Sequence, residues 1–135
     1  MTDSKKALVA FHDRMDLEVY CDILSEKGLE VTAVASLDGM LSQMGLSLAS
    51  MPHLEPSADF GLYLMDANLG EPGSPNINPA IKIYSHIFDL YRHGTVKFLV
   101  MAGLQDTLDR ARDFGLPFLK KGAHITEIYN ALKIE

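Results

Sequence analysis

Short apolar runs alternate along this chain with longer segments in which apolar residues recur every three or four positions. The short runs span residues 7–11, 31–35, 60–65, 96–101 and 117–119. The first run, 7–11, is apolar throughout, which is typical of a strand that is buried on both faces of a sheet. The last run begins with a proline, which a strand tolerates at its first position or at a sheet edge. The pattern therefore predicts five short strands.

The segments between these runs have helical periodicity. Four apolar residues in the first segment, 14–27, share the spacing of one helix face: Leu17, Tyr20, Cys21 and Leu24. Ser36 is the predicted cap of a second helix whose apolar stripe continues to Leu48. Asn78, followed by Pro79, is the predicted cap of a third. Comparable stripes predict two further helices, one before and one after the last apolar run.

Five alternating strand–helix units form a parallel sheet with helices on both faces. We expect one domain over residues 1–135, with the flavodoxin-like, doubly wound α/β fold and the strand order 2-1-3-4-5. In such sheets ligands bind beyond the carboxyl ends of the strands, where the winding order reverses. Polar residues follow three of the predicted strands there: His12, Asp13, Asp66, Lys120 and Lys121. The sequence thus predicts a site that combines carboxylates with a lysine.

Composition narrows the class of protein. The chain has 135 residues, of which 47% are hydrophobic and 22% charged, as in an ordinary globular domain. Its net charge of −6 disfavours nucleic acid as a partner, because no basic surface would neutralise the phosphates. No apolar run approaches the roughly 18 residues of a membrane span, and none is suited to a signal peptide. With the single cysteine Cys21, a disulfide framework is excluded. We expect a cytoplasmic protein with no membrane partner.

Two segments resemble those of response-regulator receiver domains, the CheY-like domains of two-component signalling. LMDANLG at residues 64–70 is similar to the family's third strand and phosphoacceptor turn, and KGAHITEI at residues 121–128 is similar to its last strand end and helix. The resemblance extends over residues 6–132. It implies that Asp66 accepts a phosphoryl group from a phosphohistidine. The alternative is a turn aspartate that accepts from the backbone just after it.

The resemblance also assigns roles to residues after the fourth and fifth strands. Lys121 would contact the phosphoryl oxygens, or Lys120 if the fifth strand is shifted by one residue. Phe118 falls at the aromatic switch position, although core packing is the alternative role for a phenylalanine. The position of the family's switch hydroxyl falls on Ala102 or on Met101, and neither side chain has a hydroxyl.

The family's acid pair after the first strand, which helps to hold Mg²⁺, is not intact. Its two positions fall on Phe11 and His12, or on His12 and Asp13 if a one-residue gap is allowed. Asp13 with Asp66 would form a weak Mg²⁺ site, the only cofactor that we expect. Asp13 is alternatively a helix cap, with Asp16 three residues later in an imperfect capping box.

The first functional hypothesis is a stand-alone, atypical receiver domain in a phosphorelay, with no enzymatic activity and with Asp66 as the phosphoacceptor. Its expected partners are a histidine kinase or phosphotransfer protein and a downstream protein that docks on the fourth helix, fifth strand and fifth helix. We expect a monomer or a weak homodimer. The alternative is a pseudo-receiver that binds its partner without phosphorylation. A flavodoxin-like domain unrelated to signalling, which binds a small ligand or acts as an enzyme, is a third hypothesis.

Overall fold

A computed structural model describes residues 3–45, 60–70 and 76–134. In these ranges the strands are β1 (Asp3–Ala10), β2 (Glu30–Val34), β3 (Phe60–Asp66), β4 (Lys97–Ala102) and β5 (Phe118–Lys120). The helices are α1 (Arg14–Ser25), α2 (Leu37–Gln43), α3 (Asn78–Arg92), α4 (Gln105–Phe114) and α5 (Ile125–Leu132). The predicted alternation of strands and helices is confirmed.

The five strands form one parallel sheet in the order β2-β1-β3-β4-β5. This confirms the predicted doubly wound topology. β1 lies between β2 and β3, so the winding order reverses at this strand. The last residue of β1, Ala10, is level with Val34 of β2 and with Met65 of β3. The residues that follow β1 and β3 therefore meet at the same edge of the sheet.

Alternate residues of β1 enter two separate cores, because helices cover both faces of the sheet. Leu8 and Ala10 belong to the core beneath α2, α3 and α4, and Ala7, Val9 and Phe11 belong to the core beneath α1 and α5. All of these side chains are fully buried. Burial on both faces explains why the strand is an unbroken apolar run.

Several element boundaries differ from the predictions, and two of the differences have a clear structural basis. β1 begins at Asp3, before the apolar run, because parallel pairing uses the backbone and extends to Lys6 on the β2 side and to Asp3 on the β3 side. Asn78 is not the cap of α3, so that prediction was wrong. Ile77 is the N-cap residue, and the side chain of Asn76 accepts the N–H of Asn78 at 3.0 Å. An asparagine two residues earlier thus binds the first backbone N–H of the helix.

Two predicted features fall partly outside the described residues. Leu48, the last residue of the apolar stripe predicted for the second helix, lies outside them. So does the middle of the long turn predicted over residues 67–79. In the parts of the chain that the structure describes, no helix has both the length and the apolar character needed to cross a membrane.

Candidate functional site

A pocket of about 320 Å³ lies at the carboxyl edge of the sheet. Seven residues from four separate parts of the chain line it: His12, Asp13, Asp66, Asn68, Gly103, Leu104 and Lys121. They meet because parallel strands end at one edge, and the connections that follow the strands lie side by side. The structure thus brings the predicted residues Asp13, Asp66 and Lys121 into one pocket.

Asp66 ends β3, and its side chain is only 8% exposed. One carboxylate oxygen, Oδ1, accepts the backbone N–H of Asn68 at 3.0 Å, which is the local bond expected of a turn aspartate. The other, Oδ2, accepts from the ammonium Nζ of Lys121 at 2.9 Å. Each oxygen therefore has a protein donor, as a carboxylate this deeply buried requires.

Lys121, and not Lys120, is the lysine that contacts Asp66. β5 is only three residues long and ends at Lys120, whose side chain is exposed. Lys121 follows it, and its backbone N–H donates to the carbonyl of Ala102 at 2.8 Å. This bond continues the pairing of β5 with β4 by one residue and holds Lys121 at the sheet edge.

The Lys121 ammonium has a second carboxylate partner. Its Nζ lies 3.1 Å from Oδ2 of Asp16 and 5.8 Å from the ring centroid of Phe11. Burial alone would lower the pKa of Lys121, but the hydrogen bonds and charges of Asp66 and Asp16 outweigh this effect and raise the pKa above its usual value. Lys121 therefore remains a cation in the folded protein.

Asp13 and Asp16 have different roles at the start of α1. Asp13 is the N-cap, and its Oδ1 accepts the N–H groups of Met15 at 2.8 Å and of Asp16 at 3.0 Å. The predicted capping role of Asp13 is confirmed. Sequence reasoning considered Asp16 only as a member of a capping box and missed its contact with Lys121. The available signal was the i, i+3 spacing, which places Asp16 on the same side of the helix as Asp13.

Aromatic rings lie where β1 leads into the pocket. Phe11 is fully buried, and its ring stacks on that of Tyr20 with the centroids 4.6 Å apart. The next residue, His12, is exposed at the pocket wall. Neither side chain supplies a carboxylate. The stacked rings of Phe11 and Tyr20 therefore lie in the core behind the pocket, with Phe11 beside Lys121.

The predicted switch residues at the ends of β4 and β5 lie in the core beneath α2, α3 and α4. Ala102 is fully buried there, and the partly buried Phe118 packs against the same core. A buried hydroxyl comes instead from Thr107 of α4, which sequence reasoning missed. The side-chain amide of Asn68 donates to Thr107 Oγ1 at 3.3 Å. This bond connects the turn after Asp66 to α4.

No protein-family model matches the sequence, and no curated protein does. Solved structures do match. A response-regulator receiver protein from Sinorhizobium medicae WSM419 is 16% identical, with a TM-score of 0.68 over 97% of this chain and 93% of that one. A receiver domain protein from Clostridium thermocellum is 17% identical, with a TM-score of 0.64 over 95% of this chain and 90% of that one. The chain has the fold of a response-regulator receiver domain.

A third similar structure is a response regulator from Burkholderia pseudomallei, described with a phosphorylated aspartic acid, a calcium ion and citrate. It is 21% identical, with a TM-score of 0.61 over 96% of this chain and 66% of that one. At these identities the likeness establishes the receiver fold. The chemistry of the pocket has to be argued from this chain's own residues.

The receiver resemblance implies a Mg²⁺ ion, but the donor groups in this pocket do not fit one. Mg²⁺ requires near-octahedral oxygen ligands, including one or two carboxylates. Phe11 offers no ligand, the imidazole of His12 favours softer metals, and both oxygens of Asp66 already accept hydrogen bonds. Within the described ranges there is no group of three His, Cys, Asp or Glu side chains suited to a metal. The predicted pair of Asp13 and Asp66 would have to displace Lys121 first.

Proposed function

We propose that this chain is a receiver-fold signalling domain that binds its protein partner without phosphorylation of Asp66. The observation that carries the proposal is the pairing of Lys121 with both Asp66 and Asp16, at 2.9 and 3.1 Å, in a pocket whose acid positions hold Phe11 and His12. Of the two main hypotheses from the sequence, the geometry thus favours the pseudo-receiver.

Phosphoryl transfer to an aspartate depends on positioning and on neutralising the charge of the phosphoryl oxygens. Each carboxylate oxygen of Asp66 already accepts a hydrogen bond, from Asn68 or from Lys121, and such a bond lowers the reactivity of the oxygen as a nucleophile. Ala102 has no hydroxyl to offer to a phosphoryl group, and Phe11 has no oxygen to offer to a metal. Two of the aids that the receiver resemblance implies, the hydroxyl and the metal ligand, are therefore missing at these positions.

The proposed output is protein binding through the face formed by α4, β5 and α5. Two large apolar side chains on or beside α4 support this choice, since Leu104 is 43% and Phe114 is 49% exposed. They lie at opposite ends of this ten-residue helix, so a partner that spans the length of α4 would cover both. The identity of the partner, the absence of catalytic activity, a cytoplasmic location and a monomeric or weakly dimeric state stay predictions.

Intact mass spectrometry after incubation with acetyl phosphate and Mg²⁺ tests the proposal. We expect no added phosphoryl group on the wild-type chain or on Asp66→Asn. A receiver domain that has both acids, treated in parallel, shows that the reagent is active. A phosphoryl group that appears on the wild type and not on Asp66→Asn would overturn the proposal.

The second candidate function is that of a phosphoacceptor, served by a histidine kinase or a phosphotransfer protein. The specific observation in its favour is the contact of Asp66 with Lys121 at the wall of an open pocket, since a lysine there can hold a phosphoryl oxygen. The Burkholderia pseudomallei neighbour is itself described with a phosphorylated aspartic acid. The same mass measurement separates the two candidates.

A further inference from the structure

Three charged groups from three different elements meet in one partly buried cluster. Nζ of Lys121, just after β5, lies 2.9 Å from Oδ2 of Asp66 on β3 and 3.1 Å from Oδ2 of Asp16 on α1. The side chains of Lys121, Asp66 and Asp16 are 25%, 8% and 33% exposed. Charges this sheltered interact more strongly than exposed pairs, and they are costly to leave without a partner.

Phe11 closes the cluster from the β1 side. Its ring centroid lies 5.8 Å from Nζ of Lys121, within the range in which an aromatic ring attracts a cation. Phe11 also occupies a position at which the receiver resemblance expects a carboxylate. After β1, the acid Asp13 caps α1, and the acid that contacts the lysine is Asp16, three residues later on α1.

We propose that the Lys121 ammonium takes the place of a bound divalent cation in this pocket, and that Asp16 is the positioning residue that holds it there. The proposal deepens the proposed function, on which it rests. One ammonium between two carboxylates leaves a single net negative charge. It needs only Asp66 and Asp16, because the third acid at the pocket, Asp13, caps α1, whereas Mg²⁺ needs a nearly complete oxygen shell.

This arrangement joins α1 to β3 through a side chain of the protein itself. In a pocket that depends on a metal, α1 and β3 are linked only while the ion is bound. Here the link is permanent, because the lysine is covalently part of the chain and stays charged. Asp16 thus acts through Lys121, and its loss releases the ammonium from one of its two carboxylates.

Mn²⁺ is a suitable probe because its paramagnetism broadens the amide signals of residues close to a weak site. We expect no selective broadening around residues 16 and 66 in the wild type, since Lys121 holds both carboxylates. Lys121→Met frees the two acids, and the same amides should then broaden at millimolar Mn²⁺. Lys120→Met, one residue earlier and exposed, is the matched control and should behave like the wild type.

The double variant Lys121→Met/Asp16→Asn should lose the acquired Mn²⁺ site, because one of its two carboxylates is gone. Selective broadening of the pocket in the wild type, or its absence in a folded Lys121→Met variant, would overturn the proposal. So would a double variant that binds Mn²⁺ as the single variant does.

A second measurement keeps Lys121 in place and covers the case in which Lys121→Met does not fold. NMR signals of a lysine ammonium are detectable when hydrogen bonds slow the exchange of its protons with water. We expect such a signal for Lys121 in the wild type and in Asp22→Asn, an exposed acid on the same helix. In Asp16→Asn the signal should disappear. A signal of equal strength in Asp16→Asn would contradict the positioning role.

Failure of this inference and failure of the proposed function give different results. Phosphorylation of Asp66 is measured by mass on the wild type and needs no lysine variant. If the wild type resists phosphorylation and Asp16→Asn leaves the ammonium signal of Lys121 unchanged, the proposed function stands and the inference fails. Phosphorylation of the wild type would remove the proposed function, whatever the Mn²⁺ experiments show.

Discussion

The two sides of the pocket differ in what they retain of the receiver site. The side formed by β3 and β5 has an aspartate at a strand end and a lysine 2.9 Å away, as the receiver resemblance implies. The side formed by β1 and the start of α1 has Phe11 stacked on Tyr20, an exposed His12, and Asp13 engaged as a helix cap. One side holds the ion pair, and the side chains of the other are engaged in packing and capping.

This difference shows that the receiver fold and an Asp–Lys ion pair are compatible with an aromatic side chain at the end of β1. The charge pair also has a structural role, because a carboxylate as buried as that of Asp66 requires donors. The β1 side lies in the core beneath α1 and α5, where an aromatic side chain gains burial energy that a carboxylate cannot. Asp66 and Lys121 alone are therefore no proof of a working phosphoacceptor site.

The largest expected effect comes from removing the ring on the β1 side. Phe11→Ala should lower the free energy of unfolding by about 3–5 kcal/mol, since the side chain is fully buried and the change leaves a cavity. Urea denaturation measures the loss. Phe114→Ala, at a half-exposed phenylalanine on α4, is the control and should cost about 1 kcal/mol or less. Similar losses for the two variants would show that Phe11 has no special part in the pocket.

The next effect comes from breaking the charge pair on the β3 and β5 side. Lys121→Met should cost about 2 kcal/mol, below the range for a fully buried pair because water still reaches part of the lysine. Lys120→Met should change stability by less than about 0.5 kcal/mol, because Lys120 lies on the surface. If the two lysine variants have equal stability, the charge pair contributes nothing to the fold.

A smaller effect tests the role of Asp13. Asp13→Ala should cost about 1 kcal/mol through loss of the cap, and Asp13→Ser should recover most of it because serine is also a good cap. Thermal unfolding without added metal is sufficient for the comparison. A loss that appears only when Mg²⁺ is present would indicate instead that Asp13 acts as a metal ligand.

The smallest expected effect is a change of the unfolding free energy at alkaline pH that comes from deprotonation of Lys121. Its pKa is raised in the folded protein, so its stabilising contribution is complete below the unfolded value of about 10.4 and is lost as the pH rises through the folded pKa. The difference in unfolding free energy between wild type and Lys121→Met should therefore shrink at alkaline pH. Tyr20, whose pKa burial raises, titrates in both proteins, and the comparison removes most of its effect. A difference that stays constant across this range would contradict the assigned ion pairs.

The fold was predictable because its signals are local and repeated. Each apolar run corresponds to a strand, and the runs of the central strands β3 and β4 are buried on both faces. The alternation with helices left few topologies open. The site was predictable as far as that topology determines which strand ends meet, and this was sufficient to place Asp66 and Lys121 together. The choice between Lys120 and Lys121 was not predictable. In a strand of only three residues, the sequence does not show which side chains point to which face of the sheet.

The contacts that sequence reasoning missed involve side chains whose partners lie far along the chain. Asp16 lies 105 positions before Lys121 in the sequence, and its nearest sequence signal belonged to a helix cap. Thr107 and Asn68 are separated by 39 residues and come together only because α4 packs beside the turn after β3.

Asn78 was wrongly assigned as a cap because Asn76 is an equally good hydrogen-bond acceptor nearby.

Amide NMR spectra of the wild-type protein with Mg²⁺, and then with beryllofluoride, test the central claim most directly. Beryllofluoride mimics the phosphoryl group on an aspartate, and Asp66→Asn is the control. The claim that Lys121 balances the pocket charge internally predicts no saturable change near residues 13, 66 and 121 with either addition. Saturable shifts at these positions that vanish in Asp66→Asn would show a working acceptor site and contradict the account.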